Sequence, residues 1–100
     1  MSQEYIKGAI SCSSGVSYTG SNGQTFVKLQ AVGVTDTGGD NVSQLARVEF
    51  GNNSNPYDTS KVTSVMTNVA IPAGSFIEGP IIQFKTHTDV AGHGWIAYFK

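Results

Sequence analysis

No window of a dozen residues in this chain returns its apolar side chains at a 3.6-residue period, and Gly, Thr, Ser and Val interrupt it throughout. A core built from amphipathic helices is therefore out of reach, and short β-runs separated by turn chemistry remain. The pattern predicts strands near Glu4–Ile10 and Val16–Thr19, then at Thr25–Val34, Gln44–Phe50, Lys61–Ile71, Pro80–Thr86 and Gly94–Phe99. Gly20-Ser-Asn-Gly23, Asp36-Thr-Gly-Gly-Asp-Asn41 and Gly51-Asn-Asn-Ser-Asn-Pro56 lie between them, rich in residues that accept positive φ or bond their own backbone. The expected fold is all-β, a small antiparallel β-sandwich or jelly-roll-like barrel. It forms one domain over residues 1–100, with 1–10 serving as an N-terminal interaction arm or an edge strand.

Alternation along a strand tells which side chains share a face. In Gln44–Phe50, Ala46, Val48 and Phe50 fall on one face while Leu45, Arg47 and Glu49 fall on the other. Thr63, Val65, Thr67, Val69 and Ile71 likewise share one face of Lys61–Ile71. Trp95-Ile-Ala-Tyr-Phe99 is apolar on both faces, and such a strand calls for cover on both: a second sheet on one side, a loop or another subunit on the other. Ile71-Pro-Ala-Gly74 reads as a turn with Pro72 second and Gly74 fourth, leading to a short segment at Phe76–Glu78. Gly79-Pro80 then breaks the chain. The strands Pro80–Thr86 and Gly94–Phe99 are expected to form a hairpin across His87–His93.

One hundred residues fold to roughly 5,500 Å² of surface, which leaves room for one modest core and not two. Six basic and seven acidic residues give a net charge of −1. The basic residues are scattered, so nothing steers the chain toward nucleic acid. Only 13% of the residues are charged, and a surface that poor in charge hints at burial against other subunits. A single cysteine, Cys12, excludes an intrachain disulfide. Neither a signal peptide nor an apolar run of membrane-spanning length is visible, so synthesis in the cytoplasm without a membrane partner is expected.

Candidate chemistry is sparse. His87, Asp89 and His93 are weak candidates for metal ligands, but a polar, Gly-containing hairpin loop is the preferred reading of them, and no metal or other cofactor is expected. Cys12 lacks a nucleophile elbow around it and reads as an inert, partly buried thiol. Tyr18, Tyr57, Trp95 and Tyr98 could form a sugar-binding platform; the preferred reading puts Trp95 and Phe99 in the core and Tyr18 and Tyr57 at the rim. No catalytic residue is assigned, and the chain reads as a non-enzyme.

Four segments carry a resemblance: Phe26-Val-Lys-Leu-Gln30, Ile71-Pro-Ala-Gly-Ser-Phe-Ile-Glu-Gly79, Phe84-Lys85 and Ile96-Ala-Tyr98. Together they resemble a pattern in small virion proteins of tailed bacteriophages. The resemblance implies a capsid decoration (cement) protein that binds the major capsid protein, or other virion subunits, as a homo-oligomer, usually a trimer. It implies a location in the virion after synthesis in the host. On this reading Tyr5, Ile6, Ile10, Trp95, Ile96, Tyr98 and Phe99 fill the core and subunit interface, Pro72, Gly74, Gly79 and Pro80 form the turn motif, and Met1–Ile10 reaches a neighbour by strand addition. The alternative is a small glycan- or receptor-binding β-module of a phage tail or fibre.

Overall fold

The β-branched and aromatic runs do form strands, and they pair into one antiparallel sheet of eight. The computed structural model describes residues 6–21, 24–35, 39, 41–52, 58–88 and 94–100. Its strands are β1 (Gly8–Ser11), β2 (Ser17–Thr19), β3 (Phe26–Ala31), β4 (Val34–Thr35), β5 (Asn41–Phe50), β6 (Ser64–Pro72), β7 (Phe76–Thr86) and β8 (Trp95–Phe99), with a 3₁₀ turn at Thr59–Lys61. The order is β1-β8-β3-β7-β5-β4, with β2 on β7 and β6 on β5. The all-β, antiparallel, single-domain expectation holds.

The sheet folds over on itself in a sandwich-like way. Although β3 and β7 separate β8 from β5, the Trp95 indole N–H donates to the Gln44 carbonyl at 2.9 Å, and the Ser43 hydroxyl donates to the Gly94 carbonyl. Bulges make the bend. Val27 is an extra residue in β3 against β8, Ala46 in β5 against β7, and the ladder slips again in β7 around Gly79-Pro80 and Ile82. Gly79 carries φ +145, open to glycine and costly to other residues, and Pro80 has no N–H to offer a ladder. The expected break at this dipeptide is therefore a kink inside one continuous strand, whose first half pairs with β3 and whose second half pairs with β5 and β2.

Three further expectations are corrected. No hairpin joins β7 to β8, because β3 lies between them and pairs with both. The turn after β6 sits one residue later than expected: the Ser75 N–H donates to the Pro72 carbonyl at 3.1 Å, so Gly74 is third, with the positive φ that a type II turn demands there. The faces of β5 and β6 are not uniform. The Ala46 bulge turns both Leu45 and Val48 inward. Asn68, opposite it, has φ +52, so Val69 and Ile71 pack on the core while Thr67 and Val65 share the outer side with Arg47 and Glu49.

Phe26, Leu29, Leu45, Val48, Ile81, Phe84, Trp95 and Ala97 make the core, with Phe26 edge-on to Phe84 at 5.4 Å and Tyr18 stacked on it at 5.1 Å. Burial of each of the Phe, Leu, Val and Ile side chains among them stabilises the fold by about 1.5–3 kcal/mol. The surface left over is 5398 Å², what the scaling of area with mass gives for a lone protein of this size.

Candidate functional site

Three surfaces remain after the core is filled. The first is the outer face of β1, β8, β3 and the start of β7. Cross-strand register sets Ala9, Tyr98, Lys28 and Glu78 in one row and Ser11, Ile96, Gln30 and Phe76 in the next. The Tyr98 hydroxyl donates to Gln30 Oε1 at 2.8 Å, and Lys28 Nζ lies 4.3 Å from the Phe76 ring centroid and 5.6 Å from that of Tyr98. Phe76 is 49% exposed.

The closing strand is thus apolar on both faces as expected, but its own domain supplies most of the cover. Trp95 and Ala97 point into the core, with Trp95 1% exposed, and Phe99 packs beside them. Ile96 and Tyr98 face outward, half-buried. The burial of Trp95 removes the largest ring from the sugar platform. Ile10 packs against the core from β1, Ile6 is exposed, and Tyr5 lies outside the described residues. Residues 8–10 belong to edge strand β1, in register with β8 from Gly8–Phe99 onward, and the Lys7 backbone N–H donates to the Phe99 carbonyl at 2.8 Å, so the segment expected as an arm over 1–10 is an edge strand at its end.

The second surface is the outer edge of β6. This nine-residue strand pairs with β5 alone among the described residues and carries no charge. Val65 and Met66 on it are each 40% exposed. Edges this long are normally blunted by Lys or Pro. Here Pro72 comes only at the end, and the left-handed Asn68 is the one irregularity.

The third surface is the outer face of β2, β7 and β5, where Ser17, Lys85 and Arg47 align in one row and Thr19, Gln83 and Glu49 in the next. Glu49 is only 7% exposed and accepts from Arg47 Nε at 2.7 Å. Alternation in Gln83-Phe-Lys85 and Arg47-Val-Glu49 hinted at these polar faces; which strands lie side by side was not readable.

Of the metal candidates, His87 is half-buried at the end of β7, its backbone N–H donating to the Gln44 carbonyl at 3.2 Å. Asp89 and His93 lie outside the described residues. Among the described residues no three His, Cys, Asp or Glu side chains gather. Cys12 is buried, and burial raises its thiol to about 11. No protein-family model, curated protein or solved structure matches the chain.

Proposed function

We propose that the chain is a non-enzymatic structural subunit that completes its sheet on neighbouring subunits. In the setting its sequence resembles, that is a capsid decoration protein bound to a phage coat lattice as a homo-oligomer. The observation that carries this is the uncharged edge of β6, unpaired among the described residues, with Val65 and Met66 each 40% exposed upon it. The sheet also ends on its far side in β1, so β6 of one copy can meet β1 of the next head to tail, and three such steps close a ring if each turns by a third of a circle. Low charge on the chain removes the repulsion such contacts would meet.

Light scattering on the eluting protein tests the reading. A trimer is expected, and Val65→Lys, which puts a charge on the edge, should give a folded monomer. A wild-type chain that stays monomeric at every concentration reached overturns it. The glycan-binding alternative draws on outward Phe76 and Tyr98, and a glycan array on the purified protein decides it.

A further inference from the structure

On the outer face of β2, β7 and β5, hydrogen-bond donors converge, and Gln83 Oε1 and Glu49 Oε2 are already engaged as acceptors. Arg47 and Lys85 are direct cross-strand partners, and Ser17 stands opposite Lys85 on its other side. Like charges opposite each other destabilise a sheet unless an anion lies between or beside them. Glu49 answers only one of the two, taking the Nε–H of Arg47 at 2.7 Å. Lys85 is exposed and has no carboxylate within ion-pair distance among the described residues. Among the described residues, two cations against one carboxylate leave a net positive charge on this patch.

The neighbours are donors as well. The Thr19 hydroxyl occupies Gln83 Oε1 at 3.2 Å, so the amide group that Gln83 has left to present is its NH₂. Ser17 adds a hydroxyl. Between the two rows the surface dips, and Ser17, Arg47, Gln83, Phe84 and Lys85 line the depression.

From this placement we infer that the depression binds a compact oxyanion: the phosphate, sulfate or carboxylate group of a larger ligand. Charge-assisted hydrogen bonds from Lys85 and the free guanidinium nitrogens of Arg47 supply the attraction, while Gln83 and Ser17 complete the donor set. The site shares no residue with the Phe76 and Tyr98 face or with β6, although Thr67 and Val65 of β6 are the cross-strand neighbours of Arg47 and Glu49 beside it.

The test is a titration of isotope-labelled protein with inorganic phosphate, sulfate and acetate, each against sodium chloride at matched ionic strength and pH, followed by amide NMR shifts. Saturable shifts at Ser17, Gln83 and Lys85 are expected with an oxyanion and not with chloride. Binding of phosphate and sulfate without acetate would assign a tetrahedral ester group; binding of acetate as well would assign a carboxylate. Lys85→Gln should weaken the binding by about tenfold with the remaining spectrum unchanged. Since Lys85 is exposed, that variant folds; Arg47→Gln serves as a second variant, read by the same shifts. Shifts that do not saturate, that chloride reproduces, or that Lys85→Gln leaves at wild-type strength overturn the inference.

Discussion

Ser43 ties β5 to the chain just ahead of β8 across the folded sheet, and replacing it with alanine has a cost that the hydrogen bonds themselves set. Its side chain is fully buried on β5, accepts from the Gly33 N–H at 2.9 Å and donates to the Gly94 carbonyl. The carbonyl keeps a second donor in Ser43→Ala, the Val32 N–H at 2.8 Å, so that loss is one net bond, about 1 kcal/mol. Gly33 N–H has no such substitute among its described contacts, and orphaning a donor in a part-buried place costs a further 1–3 kcal/mol, so about 2–4 kcal/mol in all is expected. For a domain of this length that lowers the melting temperature by roughly 10–20 °C. Urea unfolding read by Trp95, the only tryptophan and a core residue, measures it, with an unchanged denaturant slope to show that only stability moved. A loss below about 0.5 kcal/mol would refute the reasoning, since that is what surface changes produce.

Gly94→Ala should destabilise at least as much, because a Cβ there would meet Ser43 Oγ at 2.5 Å and Gly33 N at 3.1 Å; the double variant with Ser43→Ala should show non-additive losses in the same urea assay. Thr86→Val keeps shape but leaves the Val16 N–H and the Ser13 carbonyl without the hydroxyl that holds them, and a loss of about 1–3 kcal/mol is expected in thermal unfolding. Asn68→Val should cost about 1–2 kcal/mol, through a β-branched residue at positive φ, while Asn68→Gly stays close to wild type; equal effects would deny the backbone explanation. The Cys12 thiol is raised by burial from 9.0 to about 11, so above pH 9 the unfolded chain loses its proton first. Its contribution to stability is intact below that pH and falls away as pH rises toward 11, a fall that Cys12→Ala should lack when the two are unfolded in urea across that range.

Period-2 patterning made the strands of this chain legible, and turn residues made most of their limits so. It did not disclose where alternation is reset. Ala46 looks like any small residue in a strand, yet as a bulge it brings Leu45 and Val48 to the same side. Asn68 does the same to β6, and no side-chain pattern announces a backbone in the left-handed region. Gly79-Pro80 carries the chemistry of a break, but long-range pairing on both sides of it overrides local preference and leaves a kink. The missed hairpin has the same origin: neighbours in sequence are not neighbours in a sheet into which an earlier strand has been inserted. Of the candidate interface, the doubly apolar Trp95–Phe99 strand was readable. The Arg47 and Lys85 row was not, because it depends on register between strands far apart in the chain.

The pairing of Gly8 with Phe99, and of β3 with β8, has a consequence for how the molecule can come into being. No contiguous fragment owns a finished sheet: β1 leans on β8, β8 on β3, and β3 on β7. Folding must therefore await the meeting of distant segments, which places it among slow, high-contact-order β proteins, in milliseconds to seconds. A version truncated ahead of Trp95 would leave Leu29 and Ile10 bare, and degradation or clumping in the cell, rather than a smaller working domain, is what such a truncation would yield.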